Sequence, residues 1–202
     1  MPENRENETY QFFFLKKALL EVTDTIDNIE FDEKHFEGMN VIGDFIVPVT
    51  FPKYLLEYIS TIDKPKTIKY NFIGNILENR KWVSKFKSQT SSWIKESSSG
   101  SDATRKFELD TFYYKIVSRS KFTLCPIGDC PWSYRLFEAI MCLSIPIVER
   151  GSPDIFVKNY NFFYDDEVHV YDFYKAMENY NKFVKSLHFL ENNQPLIDFL
   201  KS

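Results

Sequence analysis

The sequence predicts an α/β protein, a parallel sheet covered on both faces by helices, and three observations carry that reading. Short apolar runs rich in β-branched residues (41–49, 67–74, 121–125 and 145–149) alternate with stretches whose apolar residues recur at helical spacing. Of the 202 residues, 44% are hydrophobic and 27% charged, the balance of a folded chain with a substantial core. Aromatic residues reach 17%, with 20 Phe and 12 Tyr against only 6 Gly, so the core is built on rings and no glycine-rich repeat is present.

In chain order, residues 1–40 read as a helical and loop extension. A surface helix runs from Tyr10 to Val22, with Phe13, Phe14 and Leu20 among charges. The run 41–49, bounded by Pro48 and Pro52, reads as one buried strand, and 51–60 as a short helix with Pro52 in its first turn. A second strand covers 67–74 and ends at Gly74; a helix follows over 76–86. The serine-rich stretch 88–101 reads as a long mobile loop, and Asp102 as the cap of a helix reaching Ser118. A third strand at 121–125 leads through the turn 126–131 into a helix from Ser133 to Leu143. Its apolar stripe is Leu136, Ala139, Ile140 and Leu143. Strands at 145–149 and 161–164 and helices at 171–190 and 196–200 complete the chain. The expected organisation is the extension 1–40 followed by a Rossmann-like layer sandwich over 41–202.

Composition excludes several classes of function. A formal net charge of −4 argues against nucleic-acid or acidic-membrane binding, both of which need a basic surface. No run of about 18 apolar residues is present to span a bilayer. The start, MPENRENETY, lacks the basic and apolar regions of a signal peptide. Cys125, Cys130 and Cys142 form an odd set without a CxxC, so neither a disulfide framework nor a zinc site is expected, and the simplest compartment is cytoplasmic. Asp165, Asp166 and Glu167 near His169 read as a solvated turn rather than a metal site. His35 and His188 read as isolated surface residues, Cys142 as small apolar packing, and Trp132 as either a stacking platform or a core ring.

In an open parallel sheet, ligands bind where strands end and helices begin. The richest such place is 125–135, where strand, turn and helix follow one another and the helix start offers free N–H groups to an anion. Arg135 in the first turn can grip a phosphate with two parallel hydrogen bonds. Glu138, three residues on, can accept hydrogen bonds from vicinal hydroxyls such as those of a ribose. The plainer alternative is a solvated Arg135–Glu138 salt bridge worth a few tenths of a kcal/mol. Because Glu138 lies off the apolar stripe, its replacement is expected to leave the core intact.

The segment 120–150 resembles the donor-binding half of the exostosin-like glycosyltransferases. The matching pieces are Phe122 to Pro126, Gly128, Ser133-Tyr134-Arg135-Leu136-Phe137-Glu138-Ala139, and Ile145-Pro146-Ile147-Val148. Looser similarity extends over 41–165, through Asp44 to Pro48 and through Phe72-Ile73-Gly74 with Arg80 downstream. The resemblance implies the nucleotide-sugar-binding domain of a GT-B enzyme, inverting and metal-independent. The substrates would be a nucleotide-diphosphate sugar and a glycan acceptor, with no cofactor besides the donor. Arg135 would hold the diphosphate, Glu138 the ribose, and Ser133 and Gly128 would bring backbone N–H groups to the phosphates. Gly74 would let a substrate approach the backbone, and Asp129 would be an acceptor-facing general base or merely a turn cap. A homo-oligomer or a partner chain would complete the acceptor side. Competing readings are a non-catalytic nucleotide- or glycan-binding module and a fucosyltransferase-like enzyme.

Overall fold

The computed structural model describes residues 10–27, 29–76, 78–96, 109–128 and 130–202. The chain divides into two compact units, one formed by Met1–Glu57, Asp102–Leu109 and Val184–Ser202, the other by Tyr58–Ser101 and Asp110–Phe183.

In the first unit, helix α1 (Tyr10–Leu19) precedes an antiparallel sheet of β1 (Phe31–Lys34), β2 (Met39–Ile42) and β3 (Phe45–Pro48). The single strand expected over 41–49 is therefore two, and the boundary expected at residue 40 falls inside β2. Gly43 and Asp44 form the two-residue turn between β2 and β3, closed by the Ile42–Phe45 pair, with Gly43 at φ +54°. That left-handed position suits a glycine and matches strand twist in a tight hairpin. Helix α1 is not a surface helix: Phe13, Phe14, Leu15, Ala18 and Leu19 are buried. Leu15, Leu19, Ile42 and Val47 form a core with Leu190 and with Leu196 of helix α6 (Gln194–Leu200). His188 also belongs here, and it is buried rather than on the surface. Helix α2 (Lys53–Thr61) leads into the second unit.

The second unit holds a five-stranded parallel sheet in the order β5-β4-β6-β7-β8. Its strands are β4 (Ile68–Gly74), β5 (Ser92–Glu96), β6 (Ser120–Leu124), β7 (Ile145–Val148) and β8 (Phe163–Tyr164). On one face Tyr70, Phe72, Phe122, Leu124, Ile145 and Ile147 pack with Trp82, Val83 and Phe86 of a 3-10 segment (Glu78–Phe86) and with Ala176 of helix α5 (Phe173–Val184). On the other lie helices α3 (Thr111–Ser118) and α4 (Tyr134–Met141). Burial of both faces accounts for the nearly continuous apolar runs of the central strands.

Four expected elements differ. The helix over 76–86 is the 3-10 segment, and the final long helix is shorter, ending at Val184. The stretch expected to be a mobile loop contains β5, an edge strand with Trp93, Lys95 and Glu96 exposed. Helix α3 starts at Thr111, where Asp110 accepts from the Tyr113 N–H (2.9 Å); the expected cap, Asp102, lies outside the described residues. No helix among the described residues is long and apolar enough to cross a membrane.

Candidate functional site

From the adjacent strands β4 and β6 the chain departs in opposite directions, to β5 on one side and to β7 on the other. A parallel sheet opens a crevice at such a point, beyond the carboxyl ends of the strands. Ser133, Arg135, Gly74 and Gly128, all singled out from sequence, lie at these strand ends and at the helix start that follows. Ser133 caps α4, its hydroxyl accepting from the Arg135 N–H at 3.2 Å. Arg135 reaches back across the crevice and donates from Nη2 to the Ile73 carbonyl at the end of β4 (2.8 Å). Its guanidinium carbon lies 4.5 Å from the centroid of the Phe72 ring. Gly74 makes this approach possible, because a Cβ there would stand 3.1 Å from Arg135 Nη2 and 3.2 Å from the Phe72 ring. Arg135 Nε is buried without a hydrogen-bond partner, an expensive state for a charged donor.

The turn after β6 is tied to the segment after β4. Asn79 Nδ2 donates to the Gly128 carbonyl (2.9 Å) and Arg80 Nε to that of Ile127 (3.4 Å). A Cβ on Gly128 would come within 3.3 Å of Arg80 Nη2, so the glycine lets a second guanidinium close on the turn. Asp129 lies outside the described residues.

Glu138 corrects the sequence reading. It is only 3% exposed, because α4 is buried on every side from Arg135 to Met141 rather than along one stripe. The carboxylate accepts hydrogen bonds from Tyr113 (2.7 Å) and Tyr114 (2.9 Å) on α3. Burial, and then the negative charge of Glu138, push the Tyr113 phenol well above its ordinary range, so it remains a donor. These partners differ from those of a solvated pair: Arg135 bonds a carbonyl and Glu138 two phenols. Trp132 is a core ring, buried against Tyr134 and Phe156.

Asp154 was not singled out from sequence, since it sits in an irregular loop with no periodic signal. Its loop is joined to the turn by the Ile155 N–H donating to the Pro131 carbonyl (3.0 Å). One oxygen, Oδ1, accepts from the Phe156 and Val157 N–H groups at 2.8 and 3.1 Å; the other, Oδ2, is buried without a partner. Burial pushes this carboxyl up, and the two N–H bonds oppose the shift. Cys125, at the end of β6, feels the charges of Arg135, Asp154 and Glu138 together, while burial drives its thiol far up and keeps it inert. The crevice thus combines two guanidiniums, a capped helix start and a buried carboxylate, a set suited to gripping an anionic group next to hydroxyls.

The acidic run is engaged by cations. Lys85 bonds Asp165 at 2.7 Å, and Arg150 bonds Asp166 and Glu167 at 2.6 and 3.3 Å. The Arg150 hydrogen bond holds the Asp166 carboxyl below its usual range.

A family model described as the RXYLT1 C-terminal domain matches residues 49–191. A shorter segment is similar to an Arabidopsis thaliana protein named Probable beta-1,4-xylosyltransferase IRX10L, 46% identical over 41 residues, 20% of this chain and 10% of that protein. Another Arabidopsis thaliana protein, named Probable beta-1,4-xylosyltransferase IRX10, is 47% identical over 38 residues, 19% of this chain and 9% of its own length. An Oryza sativa subsp. japonica protein named as a probable glucuronosyltransferase is 50% identical over 36 residues, 18% of this chain and 9% of its own length. The matched segments span about a tenth of these curated relatives.

Proposed function

The chain belongs to the RXYLT1 C-terminal domain family, and from that premise we propose that it is a glycosyltransferase moving a sugar from a nucleotide-diphosphate donor to a glycan hydroxyl. The observation that carries the reading is Arg135: a buried guanidinium at the start of α4, pinned between β4 and β6, with Nε still lacking a partner. The diphosphate lies against Arg135 and the positive end of the α4 dipole, with Ser133 and Gly128 shaping the turn. Glu138, held by its two tyrosines, faces the ribose.

In the proposed step the acceptor oxygen attacks the anomeric carbon, and the bond to the departing nucleoside diphosphate breaks with inversion. The proton of the acceptor hydroxyl passes to a carboxylate, for which Asp129, next after Gly128 in sequence, is the candidate. Preorganised cations and the dipole of α4 offset the charge on the leaving group, a task metals perform elsewhere. Asp154 supports the reading as an open acceptor beside the same turn. Relatives named for xylosyl and glucuronosyl transfer make those two sugars the first donors to try.

Calorimetric titration with a nucleoside diphosphate tests the site. Arg135→Ala is expected to weaken binding by about 1.5–3 kcal/mol, the size of a charged hydrogen bond. Affinity equal to wild type would remove the proposal's main support. With an acceptor present, free nucleoside diphosphate is released, and the release persists in EDTA.

A further inference from the structure

The opposite end of the parallel sheet, where the strands begin, carries a second cleft of about 510 Å³. Ile68 pairs with Ser120 and Tyr70 with Phe122, which sets Lys69 beside Lys121 on adjacent strands of one sheet. Neighbouring strands are about 4.8 Å apart, and like charges in such a position repel and destabilise the sheet. Both lysines are partly buried, and neither makes an ion pair or a side-chain hydrogen bond among the described residues. Lys69 has only the Tyr70 ring, 5.0 Å from Nζ.

Among the described residues no carboxylate lines this cleft. The next carboxylate in sequence, Asp172, is turned to the start of α5, where it accepts from the N–H groups of Tyr174 and Lys175. The rim is formed by the exposed residues Thr67, Thr90 and Ser91, and Tyr171 supplies an aromatic side. Ser91 is joined to the lysine rung through the Lys69 N–H, which donates to its carbonyl at 2.8 Å. In a chain of net charge −4, two lysines on one cross-strand rung, lining a cleft without a carboxylate among the described residues, are best explained by a ligand that brings the counter-charge.

We propose that this cleft binds the phosphate ester or carboxylate of a saccharide, the oxyanion entering between Lys69 and Lys121 and the sugar hydroxyls meeting the hydroxyl rim and the Tyr171 ring. The site is independent of the nucleotide end of the sheet and does not rest on the transfer reaction.

The test is calorimetric titration of the full chain at low ionic strength with glucose 6-phosphate, glucuronate, inorganic phosphate and glucose. The two anionic sugars are expected to bind at least tenfold more tightly than glucose and more tightly than phosphate alone. Salt should weaken that binding, since the lysines are only partly buried. Lys69→Gln combined with Lys121→Gln removes it, whereas Arg135→Ala leaves it unchanged and Lys121→Arg retains it. The double variant should melt no lower than wild type in ligand-free buffer, because a repulsion has been relieved. Binding by the double variant equal to wild type, or binding of glucose as tight as that of its phosphate, would overturn the proposal. Phosphate alone binding as tightly as glucose 6-phosphate would overturn the saccharide assignment.

Discussion

Arg135 and Glu138 lie three residues apart on α4, yet their surroundings call for different experiments. Arg135 has one backbone carbonyl and an aromatic face, with a donor still open. Glu138 is clamped by two phenols and buried, so it contributes to the fold before any ligand arrives. Tyr113→Phe or Tyr114→Phe removes one donor to a buried carboxylate and should lower stability by about 1–3 kcal/mol. Glu138→Ala removes the shared acceptor of both phenols and should cost at least as much. Chemical denaturation of the three variants measures this; a Glu138→Ala protein as stable as wild type would show that the carboxylate has no structural role. Sequence could place Arg135 and Ser133 because strand, turn and helix follow in order. It could not give the burial of Glu138, since helical spacing presumes one wet face. The tyrosines that dry the other face lie two dozen residues upstream, with no local signal linking them to it. Asp154 was illegible for a related reason: an isolated acid in a loop looks the same whether its second oxygen is solvated or buried.

At the scale of elements, the close approach of β4 to α4 depends on the absence of a side chain at Gly74. Gly74→Ala would set a methyl 3.1 Å from the Arg135 guanidinium and 3.2 Å from the Phe72 ring. Overpacking of this kind costs about 1–3 kcal/mol, and the atom best able to yield is the end of the arginine. The expected outcome is weaker nucleoside-diphosphate binding with the sheet intact, read by titration alongside circular dichroism; unchanged affinity would mean that Arg135 need not meet Ile73 to bind. The central strands were legible because burial on both faces writes long apolar runs. The edge strand β5 was not, because it is short and only half-buried, and serine residues surround it. The hairpin was overlooked where Gly43-Asp44 interrupts a run whose burial alternates along β2. An apolar run alone does not reveal whether a strand continues or doubles back.

For the molecule as a whole, pH should act through the first unit. His188 is 6% exposed; burial lowers its pKa to about 4, against the counter-effect of its bond to the Val49 carbonyl. The unfolded chain takes up a proton near pH 6.5, whereas the folded chain resists until about pH 4. Stability from this group is therefore fully present above pH 6.5 and is lost as pH falls towards 4, at no more than about 1.4 kcal/mol per pH unit. Urea melts of wild type and His188→Gln between pH 7 and 5 check the sign: the variant should show the flatter dependence, and parallel curves would rule His188 out. The α/β class was legible from composition and alternation. The division into units was not, because the first is assembled from pieces distant in sequence and periodicity reports only neighbours.

That assembly has a consequence for synthesis. Leu15, Ile42 and Val47 share a core with Leu190 and Leu196, near the opposite end of the chain. A nascent chain that has emerged only as far as β8 already contains every strand of the parallel sheet. It lacks two of the leucines that fill the other core. Contacts between such distant residues are the slowest to form, because the intervening loop must close before they reward it. Until Leu190 and Leu196 have emerged, β2 and β3 therefore have an incomplete apolar partner, and that late segment governs when the core around Leu15, Ile42 and Val47 becomes secure.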